Sequence, residues 1–166
     1  STTIETIPQE IPYIKTNKNL SKKYLEILGN NGKIKIGVIW KSGYPNPLFE
    51  KRSVSFDYFY LLVKKFPELV FYSLQKGPFE DEINNYPVCD NLISLSGVIT
   101  DFTDTAAIID NLDLIISVDT SVVHLAGAMG KKVWILLPFS PNWRWFLERD
   151  NSPWYPSMEL IRQNEP

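Results

Sequence analysis

Short, nearly continuous apolar runs rich in β-branched residues recur along the chain, at 34–40 (IKIGVIW), 70–74, 114–118 (LIISV), 133–137 (VWILL) and, more weakly, 91–95 and 158–162. Runs of this kind suit strands covered on both faces, which is the situation of a parallel sheet. Between them lie segments of helical periodicity. Leu20, Tyr24, Leu25, Ile27 and Leu28 mark a helix with Ser21 as a possible N-cap and Gly29-Asn30 as its stop. Helices are also expected at 56–66, more weakly near 79–84, at 103–112 with Thr103 or Asp104 as cap, and at 120–129, ended by Gly130. A Trp- and Arg-rich helix or turn follows at 142–148. Strand alternating with helix about five times predicts a Rossmann-like, three-layer α/β sandwich, because right-handed crossovers set the helices on both faces of a mainly parallel sheet of about six strands. Residues 1–18, with Pro8 and Pro12, read as an extended lead-in. The expected division is therefore 1–33, lead-in plus short helix, and 34–166, the α/β domain.

Composition narrows the class. A chain of 166 residues can bury roughly 68–70 % of its unfolded surface around one core, and 44 % hydrophobic against 22 % charged residues is too apolar for disorder. A net charge of −2 supplies no basic field for a phosphate backbone, so nucleic acid is not an expected partner. With Cys89 and His124 as the only residues of their kinds, neither an internal disulfide nor a Cys/His zinc site is expected, and no metal or cofactor is assigned. No apolar run reaches the roughly 18–20 residues of a bilayer span, and the start has neither basic nor apolar signal character. A cytoplasmic location is expected. A start on Ser1 fits simple Met removal or a piece of something longer.

In open α/β sheets ligands bind beyond the carboxyl ends of the strands where the strand order reverses. For the order 3-2-1-4-5-6, the loops after the first and fourth strands face each other there. The first, KSGYPNPLFEKRS, offers Ser42 and Gly43 for close backbone approach to an anion, then Pro45, Asn46 and Pro47, and ends in Lys51-Arg52-Ser53. Arg presents a planar fork to phosphate, although a solvated turn with a basic pair explains the loop equally well. In the second, Asp119-Thr120-Ser121 stands where strand becomes helix, so free N–H groups and the dipole favour a phosphate; ordinary N-capping is the competing explanation. His124, one turn further on, is either a ligand contact or a hydrogen-bonded structural histidine. Gln75-Lys76-Gly77-Pro78 closes the second strand, where such folds hold a ribose or base, or is an ordinary turn. Asp101, Asp104 and Thr105 read as capping residues. There is no G-x-G-x-x-G, no Walker A and no G-x-S-x-G, and a lone histidine leaves no base for a Ser or Cys triad.

The stretches IKIGVIWKSGYPNP, KRSVSF, FYSLQKGP and DFTDTAAII, then LDLIISVDTSVVHLAGAMGKKVWILLPFSPNWRWFLERDNSPWYPSMELIRQ, resemble the carboxyl-terminal region of bacterial tetratricopeptide-repeat proteins that end in a glycosyltransferase family 9-like domain. That domain is similar to the nucleotide-sugar-binding half of ADP-heptose:lipopolysaccharide heptosyltransferases. The resemblance covers almost the whole chain. It implies the C-terminal half of a GT-B fold, a nucleotide-sugar donor, and an N-terminal GT-B domain and repeats elsewhere in a parent chain. By it, Asp119, Thr120 and Ser121 bind the donor diphosphate, His124 faces the nucleotide, Arg52 (or Lys51) is the basic partner of the phosphates, and Gln75 and Lys76 lie near the nucleoside. YPNPLFEKRS has fewer small polar residues than the family pattern. Metal-independent transfer with a base from the other domain is implied, so the isolated chain is expected to turn over nothing; the alternative is a non-catalytic nucleotide-binding or interaction module.

Overall fold

The computed structural model describes residues 3–8, 10–29, 32–43 and 50–165, so Ser1, Asn30, the Pro45-Asn46-Pro47 part of the first loop and Pro166 lie outside the described residues. Six strands, β1 (Lys35–Ile39), β2 (Val70–Ser73), β3 (Leu92–Ser94), β4 (Leu114–Val118), β5 (Val133–Leu137) and β6 (Met158–Arg162), form one sheet in the order β3-β2-β1-β4-β5-β6. All five strand pairings are parallel. The order reverses between β1 and β4, which pair directly from Ile36 opposite Leu114 to Ile39 opposite Ser117.

Among the described residues four α-helices cover the sheet: α1 (Lys18–Leu28), α2 (Phe56–Lys65), α3 (Phe102–Asp110) and α4 (Ser121–Ala128). Side chains alternate across a strand, so Ile36 and Val38 of β1 face one layer and Ile39 the other. On the first side they meet Phe56, Phe59 and Val63 of α2; on the second, Tyr24 and Leu28 of α1, Ala106 to Ile109 of α3 and Val123 and Ala126 of α4 form the larger core. At about 25 cal/mol per Å² of apolar surface removed from water, these two layers supply the main drive for folding.

Local hydrogen bonding redraws several helix starts. Asn17, not Ser21, caps α1, its Oδ1 accepting from the N–H groups of Asn19 and Leu20, while Ser21 Oγ donates to Asp110. Asp101, not Thr103 or Asp104, caps α3, because its extended backbone lets Oδ1 turn back onto the N–H groups of Thr103 and Asp104. Asp104 instead accepts from the N–H and hydroxyl of Thr100. The segment expected near 79–84 is a 3₁₀ turn, Glu80–Asn85, and that at 142–148 shrinks to the 3₁₀ turn Trp143–Trp145.

Candidate functional site

The strand reversal opens a cleft of about 530 Å³ beyond the carboxyl ends of the strands, lined by Ile39, Lys41, Gly43, Leu74, Lys76, Pro78, Ile99, Phe102, Thr105, Thr120 and Ser121, among others. Two helix N-termini face it, and they differ. That of α3 is closed by the Asp101 carboxylate. That of α4 starts at Thr120 with no side-chain cap, and Thr120 Oγ1 lies 3.3 Å from Ser117 Oγ instead. The first-turn N–H groups of α4 therefore lack the side-chain acceptors that α1, α2 and α3 supply, and the positive end of its dipole lies at the cleft.

Asp119, just before that turn, is buried. Its carboxylate lies 3.8 Å from His124 Nε2 and 4.0 Å from the Arg52 guanidinium, and its carbonyl accepts from Ser42 Oγ at 3.1 Å. Burial by itself raises a carboxyl pKa; His124, the neighbouring Trp145 indole and Arg52 outweigh it and hold Asp119 below its ordinary value. Ser42 thus ties the loop after β1 to the loop after β4. Gly43, the next residue, has φ 66°, a left-handed conformation that glycine adopts without steric penalty.

His124 packs against Trp145 and Tyr155. Its ring stacks on the fully buried Trp145 at 5.3 Å between centroids, meets the edge of Tyr155 at 5.7 Å, and places Nδ1 3.1 Å from the Tyr155 hydroxyl. Burial and the nearby Tyr13 hydroxyl push Tyr155 up to about 12, so the phenol keeps its proton across physiological pH. Between Asp119 and Tyr155 both ring nitrogens of His124 face protein groups, and none of Asp119, His124 and Arg52 lines the cleft itself.

Gln75 is buried at the end of β2 and acts as a clamp. Its Oε1 accepts from the N–H groups of Trp40 and Lys41 at 3.2 and 3.0 Å, and its Nε2 donates to the Lys41 carbonyl at 3.2 Å. Lys76 turns outward, donating to the Ser96 carbonyl at 2.7 Å with Glu80 at 3.4 Å. A second clamp escaped sequence reasoning: Glu82 accepts from Trp40 Nε1 at 2.6 Å and Lys41 Nζ at 2.8 Å, and Lys41 also lies over the Phe79 ring. Phe102 and Ile99 of the cleft wall were missed as well, and Thr105, read as a capping residue, lines it too; nothing in their local sequence marks a wall that only α3 packing against the sheet creates.

A doubly wound parallel sheet whose strand order reverses at β1 and β4 defines a Rossmann-like α/β domain. Residues 90–137, from before β3 through β5, match glycosyltransferase family 9 (heptosyltransferase). Across 98 % of this chain and 49 % of the other, the fold is that of E. coli ADP-heptose lipopolysaccharide heptosyltransferase II, with a TM-score of 0.73 at 13 % identity. A glycosyl transferase family 9 protein from Veillonella parvula gives 0.68 at 14 % identity over 90 % of this chain and 42 % of that one. The E. coli heptosyltransferase WaaC with ADP gives 0.59 at 9 % over 95 % and 47 %. In sequence, the chain is 33 % identical to protein FlbA of Caulobacter vibrioides over 146 residues, 84 % of this chain but 23 % of FlbA. The chain thus carries a segment that matches the family 9 model, on an α/β fold like that of the GT-B heptosyltransferases, and spans about half the length of those structures and under a quarter of FlbA. Among the described residues no helix is long and apolar enough to cross a membrane.

Proposed function

We propose that this chain is the donor-binding part of a glycosyltransferase and holds a nucleoside diphosphate-sugar in the cleft at the strand reversal. The observation that carries this reading is the α4 N-terminus, which opens on the cleft without a side-chain cap while the other cleft-facing helix is capped. The diphosphate sits on the first-turn N–H groups with the Thr120 and Ser121 hydroxyls; Arg52, paired with Asp119 behind the cleft lining, is a through-space counter-charge, and Gly43 and Ser42 bring the opposing loop close. The nucleoside lies toward Gln75 and Lys76. The family 9 match and the ADP-containing heptosyltransferase of the same fold support this assignment.

During transfer the glycosidic C–O bond breaks and negative charge develops on the leaving diphosphate. The dipole of α4 and the guanidinium of Arg52 stabilise that charge, and they are already oriented by the Ser42 and Asp119 contacts before reaction. Asp119 and His124 are positioning residues, because their partners are Arg52, Trp145 and Tyr155 rather than the cleft. The proton of the acceptor hydroxyl is taken by a base outside this chain, on an N-terminal GT-B domain of a parent protein that also bears tetratricopeptide repeats.

Titration calorimetry with ADP, UDP and GDP and their hexose conjugates tests the reading. At least one diphosphate binds, and Arg52→Ala weakens it about threefold or more, through the loss of a nearby positive charge. Absence of binding by all of them overturns the proposal.

A further inference from the structure

The 3₁₀ turn Trp143–Trp145 after β5 is held far more firmly than a surface loop requires. Asn142 Oδ1 accepts from the Arg144 N–H, the Trp145 N–H donates to the Asn142 carbonyl, and the carbonyls of Arg144 and Trp145 accept from Trp154 Nε1 and Arg162 Nη2 at 2.9 and 2.6 Å. Trp145 itself is anchored inside against His124. Immediately after the turn Phe146 takes φ 53°, a left-handed conformation that a bulky side chain adopts only under constraint. The turn bends the chain so that Trp143 and Leu147 stand out in solvent, 69 and 70 % exposed, around a hollow of about 360 Å³ completed by Pro141, Asn142, Phe146 and Glu148.

An indole held in the open by an over-determined backbone, beside an amide and a carboxylate, has the surface complement of a sugar ring. A pyranose presents apolar C–H groups on one face, which stack on a flat aromatic, and hydroxyls around its rim, which need both donors and acceptors. Asn142 uses its oxygen for the turn, so its NH₂ is the donor end, and the exposed Glu148 carboxylate is the acceptor. Trp145, between Trp143 and Phe146 in the chain, stacks on His124 of α4, and the turn follows β5 at the carboxyl-terminal side of the sheet, the side on which the cleft opens. We infer that Trp143, with Asn142 and Glu148, forms a pyranose-binding platform on the same side of the sheet as the proposed donor cleft. This deepens the donor-binding reading and rests on it for the source of the sugar, which is either the hexose of the donor or that of a glycan acceptor.

Indole N–H spectra of the ¹⁵N-labelled chain, with the Trp143 signal assigned by its loss in Trp143→Phe, are titrated with ADP, with ADP-glucose, and with methyl glucoside, galactoside and mannoside. The expected result is that ADP leaves the Trp143 signal in place while at least one sugar-bearing ligand moves it. Movement by ADP-glucose alone identifies the donor hexose, and movement by a methyl glycoside identifies an acceptor subsite. Trp143→Ala is expected to weaken the sugar-dependent step about tenfold with ADP affinity unchanged, and Trp143→Phe to retain most of it. A stationary Trp143 signal in every sugar arm, or wild-type sugar affinity in Trp143→Ala, overturns the platform. Failure of ADP to move any signal strikes the donor reading instead, and the methyl glycoside arms then test Trp143 independently of it.

Discussion

Asp119, Gln75 and His124 set what single residues do here. Asp119 is held below the ordinary carboxyl value of 3.8 in the fold, so its contribution to stability is fully present above that value and is lost as pH falls through the lower, folded one. Asp104, held low chiefly by the Thr100 hydroxyl, acts in the same direction. Acid unfolding followed by circular dichroism is therefore expected to be shallower below pH 3.8 in Asp119→Asn than in the wild type. Gln75→Ala removes the buried acceptor of two backbone N–H groups and is expected to cost about 1–3 kcal/mol in urea denaturation. The sequence marked Gln75 at a strand end and His124 one turn into a helix, but not their partners. Trp40 and Tyr155 lie about 30 positions away from them, and no local pattern encodes such a contact.

Helix starts show how neighbouring elements with similar sequences diverge. Asp101 and Thr120 both precede a helix that faces the cleft, yet the Asp101 side chain bonds two N–H groups and that of Thr120 bonds none. Asp101→Ala is expected to destabilise by about 1 kcal/mol, whereas Thr120→Ala leaves the midpoint nearly unchanged and weakens nucleotide binding; paired thermal melts with and without ADP check both. Gly127 of α4 carries a different constraint: a Cβ there would lie 2.5 Å from the Tyr155 ring and 2.5 Å from Met158 Cε. Gly127→Ala should therefore cost about 1–3 kcal/mol by overpacking, read in denaturant melts. Strands at 114–118, 133–137 and 158–162 were legible to the residue, because apolar runs bounded by polar residues end where the sheet ends. Caps were legible only to within a few positions: Thr103, Asp104 and Asp101 are chemically alike, and backbone direction alone selects among them.

Across the whole molecule the two faces of the sheet are covered unequally. Three described helices pack on one face and α2 on the other, where Trp134 and Leu136 of β5 stay partly exposed and Ile161 of β6 is exposed. The cleft proposed to hold the donor lies beyond the carboxyl ends of the strands at the β1–β4 reversal, open to solvent. The chain alone is therefore expected to bind a nucleotide-sugar without transferring its hexose, and an assay of nucleoside diphosphate release from the isolated chain should read no turnover above spontaneous hydrolysis. Measurable transfer by these 166 residues would place the base within them.

The sequence by itself determined the layers and the alternation of strand with helix, because hydrophobic period and right-handed crossover are local rules that act on every strand–helix–strand unit alike. Only the tertiary structure decided the strand order, which of the two cleft-facing helix starts stays open, that His124 packs against Trp145 and Tyr155, and that Trp143 is held out in solvent while Trp145 is buried. Those outcomes depend on contacts between residues distant in the chain. Their partners are fixed only when the sheet, its helices and the segment after β5 have packed together.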